Sequence, residues 1–422
     1  MKKQKIDPIR STSLQIVKKT LNGQDLQAVL NQSLNQLENQ QDKALLTELC
    51  YGYFRYKRQL EYLLKTLFLP KWNKLPLDIK IVLGLSCYEL YYLSKIPAYA
   101  TLSWSVNLIK NKYNAKLGGL VNAVLRKCTQ IDLTDTIFKQ DNPSLATFLS
   151  RKYSMPFWIV ELLLKEQNKT DVENFLKSSL KRPPTSLLLL KPITIPKELK
   201  PGILQETPCG FSIKPKWEEK IFSFFKKNNI PYYPQSLASQ QILLKLISQI
   251  KEPIWDACAG SGGKSFVLYR LGFKPFASDI NLKRLLFLKQ QLHVWNLKPK
   301  IFRADAKQPP FKKVTTILLD APCSGLGVLA KRPDIKWKRS LKDIKQLSAI
   351  QQKLLSNTFQ VLPKGGVLLY LTCTVTKKEN EEQVNFLLEK YSSKVKLECI
   401  IKPNFQTEKE YFFGAKFIKI GN

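Results

Sequence analysis

Two cysteines stand at the ends of apolar, strand-like runs, and a hydroxyl residue follows each of them. Cys323 lies in Leu318-Leu319-Asp320-Ala321-Pro322-Cys323-Ser324-Gly325-Leu326-Gly327, and Cys373 in Leu369-Tyr370-Leu371-Thr372-Cys373-Thr374. A thiolate can divide one difficult substitution into two easier steps through a covalent intermediate. A carboxylate such as Asp320 can hold the polar edge of a substrate where charge develops. Adjacent strands would bring Asp320, Cys323 and Cys373 into one pocket. Lone cysteines more often act as small core residues, which accounts for Cys50 and Cys87 on apolar helical faces. That account is weaker for two cysteines at strand ends.

The run Asp256-Ala257-Cys258-Ala259-Gly260-Ser261-Gly262-Gly263-Lys264-Ser265 sits between a strand pattern and a helix pattern. A glycine-rich turn there lets backbone N–H groups approach a ligand, with a helix amino terminus behind them. A phosphate-binding P-loop would need glycine at 258, which is cysteine. The dinucleotide fingerprint would need glycine at 265, which is serine. A nucleoside-binding loop of the methyltransferase type needs a tight turn and no pyrophosphate cradle, and this loop suits it. Asp279 ends the next strand pattern, where a carboxylate can accept from both ribose hydroxyls. Asp305 follows the third and is placed to meet an adenine edge. Each aspartate alone reads equally well as a turn or cap residue; recurrence at successive strand ends favours the ligand.

These residues need a scaffold, and residues 236–422 supply its pattern. Strand-like runs at Pro253–Cys258, Pro275–Asp279, Lys300–Ala304, Thr316–Asp320 and Gly366–Cys373 alternate with helical patterns, notably Leu282–Trp295 and Leu341–Val361. Such alternation predicts an α/β fold, a Rossmann-like parallel sheet with its ligands at the carboxyl ends of the strands. Residues 1–135 read as an all-helical bundle: Leu46, Leu49, Cys50, Tyr53 and Phe54, then Leu60, Leu63, Leu64 and Leu67, recur at helical spacing. Further helices are expected over Leu77–Leu93, Thr101–Lys112 and Leu117–Lys127, separated by Ile96-Pro97 and by Asn114 to Gly119. Residues 136–235 read as a small mixed α+β connector.

Composition narrows the function. Lys and Arg number 68 against 33 Asp and Glu, a formal charge of +35. A field of that size attracts a polyanion, and RNA, DNA or an anionic membrane surface all qualify, although coding bias toward lysine also raises the charge. The cysteines are scattered without a Cys-x-x-Cys pair, and His293 is the one histidine, so neither a metal site nor a Ser-His-Asp or Cys-His centre is expected. The longest apolar run, Ile81–Leu93, carries Glu89 and is too short to span a membrane. The amino terminus, Met1-Lys2-Lys3-Gln4-Lys5 before Ile6-Asp7-Pro8, lacks the long apolar run of a signal peptide. A cytoplasmic protein with reduced thiols, acting as a monomer, is expected.

Together, residues 235–419 resemble the Sun/Fmu group of RNA cytosine-C5 methyltransferases. The resemblance rests on Asp256 to Lys264, Asp320 to Gly327 with Arg332-Pro333-Asp334-Ile335-Lys336-Trp337, Thr372-Cys373 with Glu379-Asn380-Glu381, and the closing Phe412-Phe413-Gly414-Ala415-Lys416. The helical part resembles the NusB-type RNA-binding domain through Ile96-Pro97-Ala98-Tyr99-Ala100 and Gly119 to Arg126. The resemblance implies S-adenosylmethionine as cofactor, held by Cys258, Ala259, Gly260, Ser261, Gly262, Gly263, Lys264, Asp279, Asp305 and Asp320. It implies Cys373 as nucleophile and Cys323 as the cysteine of product release; the ring-holding role of Asp320 comes from its chemistry beside them. In DNA cytosine methyltransferases the Pro-Cys thiol attacks instead, so the residues alone leave the two thiol roles open. The implied substrate is small-subunit ribosomal RNA; transfer RNA, or a non-catalytic role in ribosome assembly, are the alternatives. Departures from the group, Gly260-Ser261 for Ala-Pro, Leu188 and Leu190 for Arg and Asn, and Gln235-Ser236 for Gln-Asp, fall mostly on the RNA side.

Overall fold

Apolar residues at helical spacing build the first of two compact units, made of the described residues up to Lys181 and Leu329–Lys338. The computed structural model describes residues 7–67, 72–298 and 300–421, with the side chain of Leu67 also left aside. The basic amino terminus therefore lies outside the described residues, and of the leucine stripe Leu60, Leu63 and Leu64 are buried. Helices run α1 (Pro8–Leu21), α2 (Leu26–Leu34), α3 (Gln40–Leu67), α4 (Leu77–Tyr92), α5 (Ala98–Lys112) and α6 (Ala115–Cys128), followed by the shorter α7 (Asp135–Lys139), α8 (Leu145–Lys152), α9 (Phe157–Glu166) and α10 (Lys169–Ser179). Helix α4 is apolar nearly all round because it is the central one, its residues from Ile81 to Glu89 all buried. Its carboxylate is fully satisfied inside: Arg10 donates to Glu89 through Nε at 2.7 Å and Nη2 at 3.2 Å, Thr101 Oγ1 at 2.7 Å and Trp104 Nε1 at 3.1 Å. Among the described residues no helix is long and apolar enough to cross a membrane.

The expected break from Asn114 to Gly119 is only partly a break. Asn114 caps α6 by accepting from Leu117 N–H at 2.9 Å, but Gly118 and Gly119 lie within the helix. A Cβ on Gly118 would sit 2.3 Å from Lys110 Cγ, so glycine here lets α5 and α6 pack closely.

The second unit, Arg182–Val328 with Arg339–Asn422, holds two sheets. Strands β1 (Thr185–Leu188), β2 (Ile203–Thr207), β3 (Gly210–Ile213) and β4 (Tyr233–Pro234) form an antiparallel sheet in the order β2-β3-β1-β4, packed on α11 (Glu218–Lys227) through Leu187, Phe211, Ile221 and Phe225. Leu188 and Leu190 turn the other way, onto the core of the larger sheet. That sheet comprises β5 (Ile254–Asp256), β6 (Phe276–Asp279), β7 (Lys300–Arg303), β8 (Thr316–Asp320), β9 (Val367–Thr372), β10 (Val395–Ile401) and β11 (Phe413–Lys419), in the order β10-β11-β9-β8-β5-β6-β7. Helices α12 (Leu237–Leu246), α13 (Gly263–Arg270), α14 (Leu282–Val294), α15 (Leu341–Gln360) and α16 (Glu381–Lys390) accompany it.

The five strands read from the sequence are the parallel ones. Strand β11 lies between β10 and β9, antiparallel to both, and β10 forms the edge; the direct β10–β11 connection has no crossover helix and so pairs antiparallel. The strand order reverses about β5, so β5 and β8 flank the topological switch point where ligands of such sheets bind.

Strand β5 ends on a fully buried carboxylate. Asp256 Oδ2 accepts from Ser265 Oγ at 2.6 Å and Oδ1 has no partner among the described residues. Burial pushes Asp256 from 3.8 up to about 7. Between those values the folded chain holds a proton that the unfolded chain has released, so stability falls as pH rises through the window. Relative to Asp256→Asn, the wild-type chain should lose stability between about pH 4 and pH 7, by an amount on the order of 4 kcal/mol. Urea midpoints across that range test this; a constant difference would mean that Asp256 does not titrate there.

Candidate active site

The parallel pairing of β8 with β9 places Asp320 opposite Leu371, and the chain past each strand end carries a cysteine. Cys323 Sγ and Cys373 Sγ lie 3.3 Å apart, and Cys373 N–H points at Cys323 Sγ at 3.4 Å. Both side chains are half-buried. Gly327 N–H donates to Cys373 O at 2.9 Å and ties the first loop back to the second. A Cβ on Gly327 would fall 2.0 Å from the Tyr411 carbonyl, so no larger residue fits this closure. The Cys323 thiol is pushed far above its ordinary value by the hydrogen bond with Cys373, then by burial, the Cys373 charge and Glu379.

Lys264 reaches the same strand ends from the start of α13. Its Nζ, nearly buried, donates to Asp320 Oδ2 at 2.7 Å and sits 5.4 Å from the centre of the Phe412 ring. Burial works to lower the Lys264 pKa, but Asp320 outweighs it and the net shift is upward. Lysine and carboxylate thus form one unit at the end of β8.

The loop from Cys258 to Gly263 turns through left-handed backbone at Gly260 (φ 56°) and Gly262 (φ 94°). Gly262 is crowded as well, for a Cβ there would meet Leu288 Cδ1 at 2.3 Å. Asp279 reads this loop directly: its Oδ2 accepts from Gly260 N–H at 2.9 Å and its Oδ1 from Asn281 N–H at 2.7 Å. Ala259 N–H donates to Ser278 O at 2.9 Å, and Ser261 O accepts from Tyr233 OH at 3.4 Å. Gln235 Nε2 donates to Gly263 O at 3.0 Å, so Gln235 braces the loop from behind. Asp305 is engaged mainly by its own turn, through Lys307 N–H at 2.9 Å and Lys307 Nζ at 3.2 Å.

The carboxylates nevertheless share one neighbourhood. Burial, then Asp256, Asp279, Asp320 and Asp305 in that order, all push the Cys258 thiol upward. The cleft is therefore locally acidic inside a strongly basic chain.

Several residues around the thiols were given no role from the sequence, although Ser324, Thr374 and Glu379 stand within the quoted motifs. Glu379, Ser324, Thr374 and Gln351 form a buried hydrogen-bonded group behind the two cysteines. The readable trace of it was the hydroxyl residue after each cysteine. Asp256 and Gln235 also bear on the loop, and neither had a signal beyond its place in a motif.

The chain is similar to known RNA methyltransferases in sequence and to a solved structure in fold. A family model described as 16S rRNA methyltransferase RsmB/F matches residues 242–414, and a NusB family model matches residues 7–130. A ribosomal RNA small subunit methyltransferase B of Shewanella oneidensis is 30% identical over 407 residues, covering 90% of this chain and 89% of that protein. One from Escherichia coli O6:K15:H31 is 29% identical over 450 residues, covering 99% of this chain and all of that protein. The crystal structure of PH0851 shares the fold, with a TM-score of 0.76 at 20% identity over 99% of this chain and 100% of that one. By its match to the family model and to these full-length relatives, the chain belongs to the RsmB/F family of 16S rRNA methyltransferases.

Proposed function

We propose that this chain methylates carbon 5 of a cytosine in small-subunit ribosomal RNA, with S-adenosylmethionine as methyl donor and a covalent adduct through Cys373. The observation that carries the reading is the pair of thiols 3.3 Å apart at the ends of β8 and β9, beside the Lys264–Asp320 ion pair.

The cleft suits the cofactor on three counts. The acidic neighbourhood of Asp256, Asp279, Asp305 and Asp320 favours a cationic ligand. Asp279 can accept from ribose hydroxyls, and the open space beside Gly260, where a Cβ would meet nothing within 4 Å, admits a ligand close to backbone. The bound cofactor supplies an electrophilic methyl group.

Carbon 5 of cytosine is too electron-poor to accept that group unaided. Cys373, as thiolate, gives its electron pair to carbon 6 and the ring electrons shift toward carbon 5 and the N3/N4 edge. Asp320, paired with Lys264, holds that edge. After carbon 5 is methylated, a solvent water takes its proton, the electrons of that C–H bond re-form the carbon 5–carbon 6 double bond, and the Cys373 sulfur departs with the electron pair of the broken C–S bond. Cys323 S–H, facing that sulfur, donates to it as it leaves. The helical unit carries RNA: Lys110, Lys116 and Arg126 are exposed on α5 and α6, and Asn122 shares a helix face with Arg126.

The two cysteines should fail differently. Cys373→Ser should abolish methylation and leave no adduct, whereas Cys323→Ser should attack but release poorly, leaving a denaturant-stable protein–RNA band on a gel. If Cys323→Ser is the variant without adduct, the roles are exchanged. Bisulfite mapping of small-subunit and transfer RNA from a deletion strain identifies the substrate.

Asp279→Ala should weaken S-adenosylmethionine binding by roughly 1.5–3 kcal/mol, about ten- to a hundredfold, with RNA affinity unchanged. Unaltered cofactor affinity by calorimetry would remove Asp279 from the site. For the helical unit, Lys116→Ala with Arg126→Ala should lower RNA affinity and flatten the log–log salt dependence by about 0.7–0.9 for each phosphate no longer neutralised. An unchanged slope would take these two residues out of the interface.

A further inference from the structure

Glu379 is completely buried, and its carboxylate joins the two cysteine loops. Oε1 accepts from Ser324 N–H at 2.7 Å and from Gln351 Nε2 at 3.3 Å. Oε2 accepts from Ser324 Oγ at 2.6 Å, Thr376 Oγ1 at 2.9 Å and Thr374 Oγ1 at 3.2 Å. Ser324 directly follows Cys323 and Thr374 directly follows Cys373, and their hydroxyls are 2.7 Å apart. Gln351, on α15, also donates to Pro322 O at 2.9 Å, so the same group grips the residue before Cys323. Tyr370 OH in turn donates to the Glu379 carbonyl at 2.7 Å.

We propose that Glu379 is a positioning residue for product release: by binding Ser324 and Thr374 together it clasps the two cysteine loops and keeps the Cys323 thiol facing the Cys373 sulfur. The proposal rests on the covalent mechanism above and adds to it the group that makes the thiols act as a pair.

Two physical arguments support it. A buried carboxylate is expensive unless its lone pairs are filled, and here neutral donors from both loops fill them. Separating the loops would expose an anion to unfilled valences, so the carboxylate resists movement of either cysteine. The negative charge also lies close enough to Cys323 to help hold its thiol protonated. A protonated Cys323 can donate to the sulfur that leaves carbon 6; a thiolate would repel it. No redox change or further reactant enters this step, in which the carbon–sulfur bond breaks and the departing thiolate is met by an S–H already in place.

The test is Glu379→Gln, alone and combined with Cys323→Ser. The single variant should bind S-adenosylmethionine within about twofold of wild type and form the RNA adduct, yet release product at least about tenfold more slowly. In the double variant Glu379→Gln should add nothing to the release defect of Cys323→Ser, because both act on one donor. Multiplying defects, lost cofactor binding or wild-type release would each overturn the proposal. Should Glu379→Gln fail to fold, Ser324→Ala removes the clasp from the cysteine side and should show the same slow release; release at the wild-type rate would overturn the proposal. A readout free of RNA chemistry separates failure of the clasp from failure of the methyltransferase reading. The pH midpoint for iodoacetamide labelling of Cys323, resolved by peptide mass spectrometry, should fall in Glu379→Gln, and an unchanged midpoint would overturn the proposal.

Discussion

The proposed chemistry hangs on one element of backbone geometry, the parallel pairing of β8 with β9 from Thr316↔Val367 to Asp320↔Leu371. Because side chains alternate faces along a strand, a slip of one residue would turn Asp320 and the residues leading to both cysteines to the wrong side. The pairing continues past the strand ends, where Ala321 N–H donates to Leu371 O and Gly327 N–H to Cys373 O, each at 2.9 Å. The intervening residues make a closed loop that begins and ends on the neighbouring strand. Cys323 sits on that loop and can approach Cys373 only while the ladder holds. The glycine at 327 is a condition of the closure.

The charge pattern serves two ligands of opposite sign. Over the whole chain the excess of 35 positive charges draws an RNA backbone. Within the cleft the sign reverses, since four aspartates press on Cys258 and the cation of Lys264 is matched by Asp320. A cationic cofactor and an anionic polymer therefore meet different local fields on one protein. Burial, with Asp320 and Asp279 adding to it, gives Asp256 its raised pKa, and one of its oxygens has no donor among the described residues.

The strand ends were legible because they combine a local apolar run with a chemically unusual terminus, and both lie within ten residues of each other in the chain. What escaped reading depends on long-range contacts with no local period. Glu379 meets Ser324 across 55 positions and Gln351 across 28, and nothing about an acidic residue before α16 announces burial. Strand β10 alternates Val395, Leu397 and Cys399 with charged Lys396 and Glu398, a half-exposed edge pattern easily passed over as a loop. Gly118 in α6 misled in the other direction, because the usual meaning of glycine as a breaker yields where the neighbouring Lys110 stem needs the space.

The segment Arg332 to Trp337 shows why a motif can be recognised long before its purpose. It lies in sequence between the Cys323 loop and α15, yet it belongs to the helical unit. Lys336 is 1% exposed and donates to the carbonyls of Arg55 at 3.0 Å and Ser154 at 2.6 Å, while Trp337 Nε1 donates to Phe54 O at 2.7 Å. The amides one helical turn on from Phe54 and Arg55 also have side-chain company: Ser154 Oγ accepts from Arg58 N–H at 3.0 Å and Gln59 N–H at 3.5 Å. Helix α3 is thus engaged at mid-length by partners from two distant stretches of chain. Burial, with Arg55 and Lys57 nearby, drives the Lys336 pKa well below its ordinary value, so the ammonium is held at a cost. A methionine could fill the volume without that cost but would leave two carbonyls without their donor. The lysine therefore ties this turn to α3, and the two carbonyls that its ammonium satisfies are the physical reason a polar residue sits in so apolar a place.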